Sequence, residues 1–197
     1  SMSERQISRV TPDPSALKAL SHPLRLRMLG LLRVQGPATA SGLAARLGLN
    51  SGATSYHLRQ LALHGFIEED SERGNQRERW WRASHELTTY LEPGAQGDVL
   101  DTGLAFMQAA LHGQISQMQG ALRSYADLPP DWRNASTASD YTIPMTAEGA
   151  AALVRRIEQL LQEAMAAAPP LGAPLPEGMR PFDIILNAAP YAIEPDA

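Results

Sequence analysis

The 197-residue sequence contains no cysteine. That excludes a disulfide framework, a cysteine nucleophile and every thiolate metal site. Aromatic residues make up 6% and charged residues 19%. The charged share lies below the usual ~25%, which argues against a highly charged disordered chain. Long apolar runs are missing as well. A stretch such as residues 164–168 falls far short of the ~18–20 residues a membrane-spanning helix needs. The first five residues have no apolar core of the secretory-signal type. The sequence therefore predicts a cytoplasmic protein without a membrane partner. Catalytic signatures are absent too: there is no glycine-rich phosphate loop, no His-Glu-x-x-His and no Gly-x-Ser-x-Gly. Carboxylates in the second half are scattered. Neither an enzyme nor a bound cofactor is expected.

What is present is a strong charge asymmetry. The net charge is −4. Residues 1–85 hold twelve Lys/Arg against seven Asp/Glu, a net +5. Residues 86–197 hold five against fourteen, a net −9. One half suits a polyanion and the other half does not.

Hydrophobic spacing organises the first half. Residues 1–13 are polar and read as a loose arm. Ser15–Leu20 carries a short helical signal. Ser21-His22-Pro23 stops that helix and starts the next, because proline fits a first helical turn. Leu24, Met28, Leu31 and Leu32 give that helix its apolar face. A short helix follows, with Ser41 as its cap, Leu43, Ala44 and Leu47 inside and Gly48 just past its end. Asn50 or Ser51 caps the next helix, which buries Thr54, Leu58 and Leu61 and ends at Gly65. Strands are predicted at residues 66–69 and 77–82, joined by a basic, glycine-containing turn. Trp80 and Trp81 are consecutive, so one faces the core.

The order helix, helix, short helix, turn, helix, β-hairpin is that of a winged helix-turn-helix. Here the sequence resembles the ArsR-like family of transcription regulators. The resemblance runs through Ser21–Leu29, Leu43–Leu61 (above all Ser55-Tyr56-His57-Leu58-Arg59-Gln60-Leu61), Gly65-Phe66-Ile67 and Arg73-Gly74-Asn75-Gln76-Arg77. It covers about residues 14–84 and implies a dimeric DNA-binding repressor released by a small effector. With Thr54, Leu58 and Leu61 turned inward, the residues left for double-stranded DNA are Ser51, Gly52, Ala53, Ser55, Tyr56, Arg59 and Gln60. The family often has histidine where this chain has His57, which would touch the backbone of DNA or pack at the helix surface. Arg73, Asn75 and Arg77 would meet DNA from the hairpin. Phosphate contacts of this kind give affinity and salt dependence rather than sequence choice.

The fold class expected is α+β and mainly helical. Residues 12–85 form the winged helix-turn-helix, and residues 86–197 an acidic region for dimerisation and effector sensing. A long helix over residues 99–126 carries Leu100, Leu104, Met107, Leu111, Ile115, Met118 and Leu122 at nearly heptad spacing. That seam is the candidate homodimer contact, with packing against the C-terminal helix as the alternative. A small α/β unit is expected last, with strands at 140–145 and 182–187 flanking a helix over 147–167 that buries Ala150, Leu153, Val154, Ile157, Leu160, Leu161 and Met165. The family's cysteine metal site is excluded by composition. His112 lies 11 residues after Asp101, about three turns, so one helix cannot bring Asp98, Asp101 and His112 together, though two crossing helices could; no metal is expected. A small apolar effector among Phe106, Met107, Met118, Tyr141, Met145 and Met165 fits better. Two rival readings are a winged-helix adaptor for protein contact and a constitutive DNA-binding protein without an effector.

Overall fold

The computed structural model describes residues 5–73, 77–90 and 93–192. Among them the order is β1 (Arg9–Val10), α1 (Pro14–Leu20), α2 (Pro23–Gln35), β2 (Ala38–Thr39), α3 (Ala40–Leu47) and α4 (Ser51–Leu63). Then come β3 (Ile67–Glu69), β4 (Trp80–Ala83), β5 (Leu87–Thr88), α5 (Gly97–Ser124) and a 3-10 turn at Tyr125–Asp127. Last are α6 (Pro130–Ala135) and α7 (Ala147–Ala167).

Local chemistry sets the helix starts. Asp13 accepts from the Ala16 N–H at 2.8 Å ahead of α1. The His22 ring accepts from the Leu24 N–H at 3.2 Å ahead of α2. Such caps satisfy N–H groups that a first helical turn leaves without partners. The cap of α3 is Thr39, which accepts from the Gly42 N–H at 3.0 Å, and not Ser41. Thr39 sits one step earlier at the end of β2, so the helix begins at Ala40 and the Ser41 hydroxyl is free to donate to Glu78 at 2.8 Å. Gly48 takes the left-handed conformation (φ 66°) that lets α3 turn into α4.

One core holds α1 to α4 and the sheet together. Leu20, Met28, Leu29, Leu32, Leu43, Leu58, Leu61 and Phe66 are buried in it, as Thr54 is beside them. Trp81 faces this core while Trp80 is half-buried, as their alternation on β4 requires. The sheet has the order β2-β4-β3, both pairs antiparallel, with Ala38 opposite Trp81 and Ile67 opposite Ala83. β2 has too few residues to show a strand pattern in the sequence. β4 starts at Trp80, later than the strand expected from residue 77.

The N-terminal segment is not a loose arm. Arg9 and Val10 pair in parallel with Leu87 and Thr88. Arg5 bonds Glu86 at 2.6 Å and donates to the carbonyls of Met165 and Ala168 at the end of α7. Burial opposes the charge on Glu86, but the hydrogen bond and charge of Arg5 outweigh it and hold the carboxyl below its usual range. Arg33 ties down the same segment from α2, donating to the His85 carbonyl at 2.8 Å and the Thr88 hydroxyl at 2.9 Å. Burial pulls its pKa down to about 10, which leaves it charged at neutral pH.

The terminal α/β unit is not formed. Residues 140–145 and 182–187 lie outside any strand, and Tyr141, Ile143, Phe182 and Ile184 are exposed. A strand needs a neighbour for its backbone groups, neither segment meets one, and Pro144 has no N–H to offer. Helix α7 spans the residues expected. Yet Ala150, Leu153, Val154, Ile157, Leu161 and Met165 are only half-buried and Leu160 is exposed. Among the described residues no sheet covers them.

Helix α5 packs across α1 and α2. Its covered face carries Gly103, Phe106 and Ala109. Tyr90 lays its ring edge-on to Phe106, centroids 5.8 Å apart. A Cβ at Gly103 would overlap the Tyr90 hydroxyl and ring. Gly103→Ala should therefore destabilise the protein by up to about 2 kcal/mol. Overpacking of roughly 1–3 kcal/mol outweighs the ~1 kcal/mol that alanine gains in helix propensity. In a Tyr90→Ala background the same change should turn stabilising. Thermal melts of the four proteins check it, and an unchanged sign would mean that Tyr90 does not occupy the notch.

Candidate nucleic-acid interface

The α3–turn–α4 unit is rotated by its buried side. Asn50 caps α4, accepting from the Ala53 N–H at 2.8 Å, and the Thr54 hydroxyl donates back to the Asn50 carbonyl at 3.0 Å. Thr54 and Leu58 are wholly buried and Leu61 nearly so. These lie at helical spacing, so the opposite side of α4 is forced outward. Ser51, Gly52, Tyr56 and Arg59 are exposed, and Ala53, Ser55, His57 and Gln60 are half-buried. Seven of the eight expected α4 positions thus lie on one accessible side. His57 instead turns toward α2.

That turn builds a cluster which the sequence does not reveal. The Arg25 Nε–H donates to His57 Nδ1 at 3.2 Å, and a second Arg25 nitrogen donates to the Ala19 carbonyl at 3.0 Å. The Arg25 guanidinium also lies 5.9 Å from the Tyr56 ring centre. The His57 ring is 4.7 Å from that of His22 and 5.4 Å from that of Tyr56. Burial, then the nearby His22 and Arg25, push the His57 pKa down. Burial and Arg25 do the same to His22, against an opposing backbone hydrogen bond of its own. Arg25 and His57 are 32 residues apart, and no local spacing marks such a pair. Read alone, His22 looks like an isolated histidine beside a helix-starting proline.

The hairpin is less basic than its arginine count suggests. Arg82 pairs with Glu68 at 3.0 Å, directly across the strands. Arg79 pairs with Glu69 at 3.4 Å and lies over Trp81. Arg73 is exposed but bonded to the buried Asp70 at 3.3 Å. Arg77 is exposed, and Asn75 lies outside the described residues. Among the described hairpin residues, most positive charge is offset by a neighbouring carboxylate.

The expected effector residues are not brought together. Met107, Met118, Tyr141 and Met145 are exposed, Phe106 is taken up by Tyr90, and Met165 lies at the far end of α7. The strands that would have carried two of them into a core do not form. Among the described residues no helix is long and apolar enough to cross a membrane.

No curated protein matches the chain. Residues 20–70, about a quarter of the chain, match the family described as a helix-turn-helix domain. The match runs from the end of α1 through β3 and includes the whole α3–turn–α4 unit. The chain thus carries a helix-turn-helix domain, a module that points to DNA as its partner and to transcription regulation as its role.

Proposed function

We propose that this chain is a sequence-specific, dimeric transcriptional repressor of the ArsR-like type and not an enzyme. The observation that carries this reading is the outward side of α4, held in place by Thr54, Leu58 and Leu61. An α-helix fits the major groove of DNA, where side chains reach base edges. Tyr56, Arg59 and Gln60 are long enough to read bases. Ser51 and Ser55 suit phosphates, and Gly52 and Ala53 allow close approach. The sheet β2-β4-β3 acts as the wing, with Arg73 and Arg77 along the flanking backbone.

The dimer rests on α5. All seven residues of the seam from Leu100 to Leu122 are between 40% and 78% exposed. The helix has 28 residues, about 42 Å at 1.5 Å per residue. An apolar stripe of that length left in water is a docking surface. Its heptad-like spacing suits an identical helix. A dimer also supplies the second recognition helix needed for half-sites one helical turn apart. The exposed seam therefore goes to a second copy of the chain. Because the six expected effector residues do not converge, the reading carries no assigned small-molecule site. The constitutive alternative keeps its place as the second reading on that observation.

Duplexes selected by the protein from a random pool provide the test. Arg59→Ala and Tyr56→Ala should each weaken selected duplexes by about 1–3 kcal/mol and relax the selectivity. Arg73→Ala should weaken all duplexes alike and lower the salt slope by about one. Fluorescence anisotropy across a salt series measures both. Equal, weak binding to selected and random duplexes would instead favour the protein-contact adaptor.

The α5 seam makes a separate prediction. Leu111→Glu with Ile115→Glu should convert the protein to a monomer in sedimentation without loss of helix content. A dimer that survives both changes would remove α5 from the interface.

A further inference from the structure

The geometry points to a phosphate clamp at the α2–α4 junction, formed by His22, Arg25 and His57, that takes up protons as it grips the DNA backbone. This rests on the reading of α4 as the DNA-facing helix. It adds Arg25 of α2 and the cap residue His22 to the interface and makes DNA affinity a function of pH.

His57 accepts from Arg25 through Nδ1, and His22 accepts from the Leu24 N–H through Nδ1. Both rings must be neutral at that nitrogen, because a protonated imidazole has no acceptor. The groups facing His57 are His22 and Arg25 from α2 and its cap, and Tyr56 from α4. From α1 only the Ala19 carbonyl enters, on Arg25. Among the described residues no carboxylate pairs with His22, Arg25 or His57. The cluster therefore concentrates cationic groups without a counter-charge. Protonating either ring in the free protein puts a second positive charge beside Arg25; burial does most to lower both pKa values, and Arg25 and, for His57, His22 lower them further.

A phosphodiester reverses the balance. It is an anion with only acceptors, and His57⁺, His22⁺ and Arg25 would all be donors. Arg25 keeps its anchor on the Ala19 carbonyl when it leaves His57, so its head is held in place for the phosphate. His22 is exposed and His57 half-buried, so both are open to a ligand from outside. The N-terminus of α2, thirteen residues long, adds a favourable dipole for the same charge. Binding and protonation then support one another. Affinity should rise as pH falls, by up to about tenfold per pH unit for each proton taken up. The free protein behaves oppositely. With both histidines held below their ordinary value of 6.5, its stability is present above that pH and declines as pH drops through it.

The experiment follows anisotropy of a selected duplex bound to the full chain from pH 5.5 to 8.5 at fixed salt. Binding should tighten by about tenfold or more from pH 7.5 to 5.5. The His22→Gln, His57→Gln double variant should bind with a nearly flat profile, while His64, His85 and His112 remain to report any general effect. Arg25→Ala should weaken binding at every pH. A wild-type slope retained by the double variant, or a flat wild-type profile with tight selective binding, would overturn the clamp and leave the DNA reading intact. Failure to select any duplex at any pH would overturn both. Should the double variant not fold, NMR titration of the His22 and His57 rings in the wild-type protein decides. Their pKa values should rise on adding duplex, and unchanged values would overturn the clamp.

Discussion

The rotation of α4 about its own axis is the constraint on which the other features depend. Leu58 and Leu61 leave water in one cluster with Met28, Leu29 and Leu43, and Thr54 on the same side of α4 is buried too. Fully burying each of the two leucines is worth roughly 1.5–3 kcal/mol, so turning the helix over would forfeit several. Thr54 adds a directional term, since its buried hydroxyl is satisfied only through the Asn50 carbonyl. Once that side is sealed, Ser51, Tyr56 and Arg59 have nowhere to go but outward. Exposure of polar and aromatic residues on α4 is thus a consequence of the core.

The same core anchors the hairpin. β4 is the central strand, bonded to β2 on one side and β3 on the other, and Trp81 plugs it into the apolar cluster. The pairing of Glu68 with Arg82 across the strands lowers the field available to a polyanion. The charge asymmetry of the sequence therefore overstates the basic character of the hairpin. It understates the α2–α4 junction, where His22, Arg25 and His57 meet without an acidic partner among the described residues.

Side-chain contacts help join the second half of the chain to the first, beside the β1–β5 pairing and the packing of α5 on α1 and α2. Arg5 links Glu86 to the last carbonyls of α7. Arg33 holds the segment after β4. Tyr90 fits the notch at Gly103 and sets α5 across α1 and α2. Arg5 reaches the end of α7, Arg33 the segment after β4, and Tyr90 the covered face of α5. The apolar seam of α5 stays outside all three.

Helix content, the α3–turn–α4 unit and the inward residues of α4 were legible in the sequence. They depend on local preferences: proline and cap residues at starts, Gly48 at a left-handed turn, and apolar side chains at helical spacing. The outward residues of α4 follow from the inward ones by subtraction. Tertiary structure alone decided whether β1, β2 and β5 exist, because two-residue strands form only where a neighbour supplies hydrogen bonds. It also decided against the strands at 140–145 and 182–187, which meet no partner strand among the described residues. The pairing of Arg25 with His57 belongs to the same class, since it joins residues far apart in the chain. Spacing along a sequence encodes how one element buries its own face. Which face, edge or charge it then meets depends on contacts between distant segments, and those are settled only when the chain packs.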